Sequence, residues 1–327
     1  MPATSQFRDP TRRPDDTSPV SLVKSPAANS GSTVERVVIP HIDDVGNSHS
    51  ANIAMMKLGT GPVTSGSVMV PAGWFPEIAS APNLAELDLG IHLTLTSESA
   101  GFRWRPISTA SRASGLMDGD GYMWPTVPPL REHAHPEAVE GEMRAQIDRA
   151  HAAGIDVTHL DHHMGAALAP EFVDATVRIA TEYLLPVAFP SDLEGFLGLL
   201  AAGAEAGSPN EMGEMNLVEL VEARQRAGSF AVGGTFLMGL TYQREPDPRR
   251  TFQRLLTELA PGVTYLSLHA SAPGDIEHVH PNDYAWRVAE YDLFGSPDFA
   301  SWMNAQPFEV AGMRRYRDRL RNQDSRG

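Results

Sequence analysis

Cysteine is absent from all 327 residues. That absence removes disulfides, thiolate nucleophiles and thiolate-held zinc together, so any metal centre must be built from histidine and carboxylate. Positive charge is scarce as well: 26 Lys and Arg face 41 Asp and Glu, a formal net charge of -15. Nucleic-acid binding relies on clustered Lys and Arg, so no nucleic acid is expected as a partner; neutral or cationic small molecules suit this chain better. No stretch approaches the roughly 20 apolar residues of a membrane-spanning helix, and no membrane association is expected. Residues 1–32 are Ser, Pro, Thr, Asp and Arg with no apolar run behind Arg12-Arg13, which argues against a twin-arginine export signal. This stretch reads as a disordered tail, and the cytoplasm is the default location.

What is present is a long alternation of apolar patterns. With 42% hydrophobic residues the chain can bury a large core. Strands are expected at 34–40, 63–70, 89–95, 155–160, 186–189 and 263–268. Helices are expected at 48–58, with Ser48 as N-cap, and at 76–87, 136–153, 172–184 and 249–259. Val139, Met143, Ile147 and Ala150 fall on one face of the third of these, and Gly154 supplies its stop. The Ala- and Gly-rich region 191–234 has no clear pattern. Repeated β-α alternation implies a parallel sheet, and the expected architecture is a single α/β domain over 33–327, a distorted (β/α) barrel of TIM type. One segment, about 97–135, breaks the rhythm. It carries Trp104, Tyr122 and Trp124 among Gly, Pro and Ser, and reads equally as a substrate-binding lid or as a packed surface loop with core aromatics.

In such barrels the reactive groups sit at the C-terminal ends of strands. Asp43-Asp44, His163 and His269 fall just past expected strands, and His92 lies near the end of one. Each has an ordinary reading on its own: a carboxylate at a helix N-terminus for either Asp, a hydrogen-bonded core residue for His92. His159 and His162 are expected to be structural, because alternation turns at least one of them away from His163.

Four motifs occur in order: Ile39-Pro40-His41-Ile42-Asp43-Asp44-Val45-Gly46-Asn47-Ser48, Val63-Thr64-Ser65-Gly66-Ser67-Val68-Met69-Val70, Leu89-Gly90-Ile91-His92-Leu93-Thr94-Leu95-Thr96 and Thr158-His159-Leu160-Asp161-His162-His163. Together, and with a weaker match at Leu268-His269-Ala270, they resemble the YdjC/ChbG-like carbohydrate deacetylases. The resemblance implies a metal-dependent enzyme that deacetylates N-acetylated sugars, with Asp44, His92 and His163 as metal ligands and Asp43 as general base. It departs from the family pattern at Val45, where Phe is common, at Gly165, where a second histidine is common, and at Ala270, where Pro is common. The three ligands are intact, so the departures bear on sugar contacts and support around the site.

The chemistry agrees with that assignment. Three protein ligands leave positions open for water and a substrate oxygen. Asp43 is placed to take the proton of the water, and His269 is the candidate to protonate the departing amine. Trp104, Tyr122 and Trp124 offer flat faces of the kind that stack on sugar rings. The metal is one divalent ion: an Asp-His-His set suits zinc, and the resemblance implies magnesium. Two rival readings are a metallophosphoesterase, which calls for more carboxylates and a second metal, and a catalytically inactive sugar-binding paralogue. The particular substrate is left open, and a homodimer is as open as a monomer.

Overall fold

In the computed structural model the described residues are 36–193, 221–222, 224–225, 230–232, 234–238 and 247–324. The expected tail at 1–32 and most of the unpatterned region 191–234 lie outside them. The strands are β1 (Arg36–Val45), β2 (Ser65–Val68), β3 (Leu89–Leu93), β4 (Leu160–His162), β5 (Val187–Ala188), β6 (Ala231–Val232), β7 (Thr235–Met238), β8 (Gly262–Leu268) and β9 (Glu309–Val310). They form one sheet in the order β6-β5-β4-β3-β2-β1-β8-β7, with β9 beside the start of β1, and every pair is parallel. β6 and β7 are near neighbours along the chain yet lie at opposite ends of that order. The run 231–238 pairs with β5 through its first part and with β8 through its last, and so curls the sheet into a distorted barrel.

Period-two alternation along the strands sorts their side chains onto two faces. Val38, Ile42, Ile91, Leu93, Leu160, Leu266 and Leu268 belong to the large apolar core that the helices cover. The other face lines the barrel interior. Its floor is an apolar layer of Ile39, Ala188, Tyr265 and Met313. Above it comes a buried polar layer containing His41, Ser65, Ser67, His159 and Asp161. Above that, towards the C-terminal ends of the strands, lie Asp43, His92, His163 and His269. The C-terminal segment closes the bottom: Ala311 N–H donates to Val38 O, and the buried Asp88 accepts from Thr158 Oγ1 at 2.5 Å and Arg314 N at 2.7 Å.

The helices follow the expected pattern with instructive exceptions. Helix His49–Leu58 starts at Ser48, whose hydroxyl accepts from Ala51 N, and helix Pro136–Ala152 buries Val139, Met143, Ile147 and Ala150. The helix expected at 76–87 is instead a short turn of helix, Phe75–Ile78, and a 3-10 turn, Leu84–Glu86. Pro82 accounts for the break, since it offers no N–H and drives Ala81 out of the helical region. The strand expected at 155–160 forms only at Leu160–His162. Ile155 N–H is spent on Ala150 O, as a cap on the preceding helix.

The insertion is packed down. Glu142, fully buried on helix Pro136–Ala152, accepts from Ile107 N and Ser108 N, and helix Val127–His133 lies within the segment.

Gly90 shows how tightly the interior is filled. A Cβ there would lie 2.5 Å from the His159 ring. Gly90→Ala is therefore expected to destabilise the fold by about 1–3 kcal/mol through overpacking, read as a lower denaturant midpoint with an unchanged slope. An unaltered midpoint would show that this layer yields freely.

Candidate functional site

Strict alternation would send Asp43 inward and Asp44 outward. The backbone prevents that. Asp44 adopts φ 62°, in the left-handed region, and the β1–β2 register shifts between Ile42 and Val45. This bulge turns both carboxylates towards the barrel mouth. His269 Nε2 consequently lies 3.9 Å from Asp43 Oδ2 and 3.9 Å from Asp44 Oδ2.

Asp44 Oδ1 is 3.4 Å from His92 Nε2 and 3.3 Å from His163 Nδ1. Atoms each about 2.1 Å from a shared ion are separated by roughly 3.0–3.4 Å at octahedral to tetrahedral angles. The donor set thus has the spacing of a metal centre. Among the described residues two further groups of side chains have donor atoms within 4.8 Å of one another: Asp43 with His92 and Asp161, and His41 with His159 and Asp161. In both groups hydrogen bonds already engage Asp161, although His159 Nε2 is buried without a partner. His92 Nδ1 donates to Asp161 Oδ1 at 2.9 Å, which leaves only Nε2 as a donor atom for an ion, and Nε2 faces Asp44. Asp161 Oδ2 already accepts from Ser67 Oγ at 2.7 Å and Tyr265 OH at 3.0 Å, and His41 Nε2 lies 3.1 Å from it.

His163 is held in the same manner. Its Nε2 donates to Glu98 Oε2 at 2.9 Å, so Nδ1 is the atom turned to Asp44. Each imidazole is therefore backed by a carboxylate, the arrangement that fixes ring orientation and strengthens a histidine as a ligand. Asp44 Oδ2, the oxygen turned away from His92 and His163, accepts from the buried Arg287 Nη1 at 3.1 Å.

These contacts set the charges. Burial works against an ionised Asp44, but His163, His92, His269 and Arg287 outweigh it and hold the carboxyl well below its ordinary range. Burial likewise opposes a charge on His163, yet Glu98 and Asp44 push its pKa up to about 9. His92 is raised well above the usual value by Asp161 and Asp44 against the same penalty. His159 and His162 behave differently: burial takes them down to about 3 and about 4. Both are neutral core histidines, with His159 Nδ1 2.9 Å from Thr158 Oγ1 and His162 Nε2 donating to Ala188 O.

Asp43 lies beside the donor set. Ser267 donates its hydroxyl to Asp43 Oδ2, and His41 Nε2 stands 3.2 Å from Oδ1. His269 has its backbone N–H held by Glu290 at 2.7 Å and its ring edge-on to Trp286, while its Nδ1 is buried without a partner. Burial foremost, with Arg287 adding, lowers its pKa. Of the three insertion aromatics, Trp104 reaches this region: it is 4% exposed, its ring is 6.2 Å from that of His163, and its indole N–H donates to Thr96 O. Tyr122 is flanked by the guanidinium groups of Arg103 and Arg105, and Trp124 donates to Gly115 O and leans on His133.

Sequence reasoning missed Asp161, Glu98, His41, Ser267 and Arg287. Asp161 had a usable signal, since it lies two residues before His163 and faces His92 in the β3–β4 register. Arg287 had none, being 243 residues from Asp44 along the chain.

The profile of the family described as YdjC-like protein matches residues 37–305. The chain belongs to the YdjC-like family. A carbohydrate deacetylase of Thermus thermophilus is 34% identical over 265 residues, spanning 80% of this chain and 88% of that protein. A carbohydrate deacetylase of Brevibacillus brevis is 34% identical over 155 residues, spanning 47% of this chain and 59% of that one. The fold is shared with a solved structure from Enterococcus faecalis, described provisionally as a cellobiose-phosphate cleavage protein, at TM-score 0.66 and 17% identity, covering 86% of this chain and 99% of that one. No helix among the described residues of this YdjC-like chain is long and apolar enough to cross a membrane.

Coordination requires the lone pairs of His163 Nδ1 and His92 Nε2, whereas with pKa values raised, to about 9 for His163, both rings carry an extra proton at neutral pH. Metal binding should release those protons, so affinity is expected to rise about tenfold per pH unit for each proton displaced, levelling as pH passes the raised pKa values. Calorimetry in buffers of different ionisation enthalpy measures this directly. Affinity flat between pH 6 and 9 would contradict the assignment of these rings.

Proposed function

We propose that the protein is a metal-dependent hydrolase that removes the acetyl group from an N-acetylated sugar or a related acetamide. The observation that carries this reading is the meeting at one barrel mouth of a three-residue donor set, a second carboxylate and a third imidazole. The relatives named carbohydrate deacetylases support the choice of reaction.

In this reading Asp44, His92 and His163 hold one divalent ion. Two imidazole nitrogens and one carboxylate oxygen favour zinc; magnesium, which keeps more oxygen and water ligands, is the alternative. When bound, the ion lowers the pKa of water and polarises the acetamide carbonyl. Asp43 accepts the proton of the attacking water, with its carboxylate oriented by the Ser267 hydroxyl and by His41. His269 delivers a proton to the departing amine, which is a poor leaving group without one. Its lowered pKa keeps the ring neutral at rest, so the proton must arrive during the reaction, and Asp43 Oδ2, 3.9 Å away, is the neighbouring carboxyl that can supply it through one intervening water. Of the insertion aromatics Trp104, beside His163, is the one whose position supports a part in substrate selection; the contacts of Tyr122 and Trp124 lie within the insertion itself.

Acetate release from a panel of N-acetylated mono- and oligosaccharides tests the reaction. Release is expected to stop with a chelator and to return on adding zinc or magnesium; release indifferent to chelation would overturn the reading. Asp43→Asn should keep its metal and lose about 10²–10⁴-fold in kcat, because an amide cannot take the proton. Near-normal kcat in that variant removes Asp43 from the mechanism. His269→Ala should slow N-deacetylation far more than hydrolysis of an activated aryl acetate, whose leaving group needs little protonation. Equal losses on the two substrates would reject the general-acid role.

A further inference from the structure

We propose that Arg287 confines Asp44 to one-oxygen metal ligation and so keeps a coordination position open for water and substrate. The inference rests on the metal site proposed above and concerns how that site is kept reactive.

A carboxylate can ligate through one oxygen or both, and a small rotation separates the two modes. In this chain the two oxygens of Asp44 have different neighbours. Oδ1 points between His92 Nε2 at 3.4 Å and His163 Nδ1 at 3.3 Å. Oδ2 is bound by Arg287 Nη1 at 3.1 Å, and His269 Nε2 stands 3.9 Å from it. Arg287 is itself tethered, with its Nη2 3.6 Å from Asp283 and its guanidinium over the Trp286 ring at 4.9 Å. It is buried on helix Tyr284–Phe294, so a rigid element carries the restraint. For Asp44 to swing Oδ2 onto the ion it would have to abandon a buried guanidinium, and a buried charge left without its partner is costly. With both oxygens on the ion, Asp44 would fill a position that a hydrolytic centre needs for water or the substrate carbonyl. Arg287 is on this account a positioning residue, acting on the chemistry through Asp44.

Glutamine and lysine replacements test it in the full chain loaded with manganese, whose bound waters are counted by water-proton relaxation. In R287Q the freed Oδ2 should displace a water, lowering relaxivity per bound ion by roughly a third to a half, since three protein ligands leave two or three positions for water. One manganese per chain should still bind. R287K, with one ammonium that cannot reach both Asp44 and Asp283, should fall between wild type and R287Q. On any N-acetylated substrate that the wild type turns over, kcat is expected to fall about 10–100-fold in R287Q, the usual cost of losing a partner of a metal ligand. Wild-type relaxivity in R287Q, or in R287K if the glutamine variant does not fold, would overturn the proposal. So would loss of manganese binding in a folded R287Q, which would make Arg287 a determinant of affinity. A wild type that binds no manganese at all would count against the metal site itself, a separate outcome.

Discussion

The left-handed residue at Asp44 is the constraint on which the site depends. A strand delivers successive side chains to opposite faces, so two adjacent carboxylates on a regular β1 could not serve one centre. Holding a non-glycine residue at positive φ costs on the order of 1–3 kcal/mol, and such strain persists only where its surroundings fix it. Those surroundings are visible. Asn47 N–H closes a turn on Asp44 O at 3.0 Å, Asn52 Oδ1 accepts from Gly46 N at 2.8 Å, and Gly46 itself stands at φ 93°. The bulge places Asp43 and Asp44 together and leaves them different neighbours: a hydroxyl and His41 for one, two imidazoles and Arg287 for the other.

The layer beneath serves the layer above. Asp161 spends one oxygen on His92, and Ser67, Tyr265 and His41 surround the other. A buried carboxylate so surrounded is held ionised, here well below its ordinary range despite burial, with His92 the foremost of the groups that outweigh the penalty. It therefore orients His92 without competing for the ion. The apolar floor of Ile39, Ala188, Tyr265 and Met313 seals this polar layer from the solvent below.

Much of this was legible in the chain, for physical reasons that differ from element to element. Ser48 announces its helix because a hydroxyl at that point satisfies an otherwise unpaired N–H. Helix Pro136–Ala152 is legible because its apolar residues recur at helical spacing. The positions of Asp43, His92, His163 and His269 at strand ends could be read from the β-α rhythm together with the resemblance. Contacts across the fold could not. Arg287 and Glu98 look like any surface charge in the sequence, and only tertiary packing brings them onto Asp44 and His163. The positive φ of Asp44 leaves no local mark either, since aspartate is also common in ordinary turns.

One ion is expected among Asp44, His92 and His163, and none in the polar layer below. Anomalous diffraction from crystals grown with zinc locates such an ion without relying on activity. A single strong peak is expected within bonding distance of Asp44 Oδ1, His92 Nε2 and His163 Nδ1. A peak among His41, His159 and Asp161, or none near Asp44 in zinc-saturated crystals, would overturn that placement.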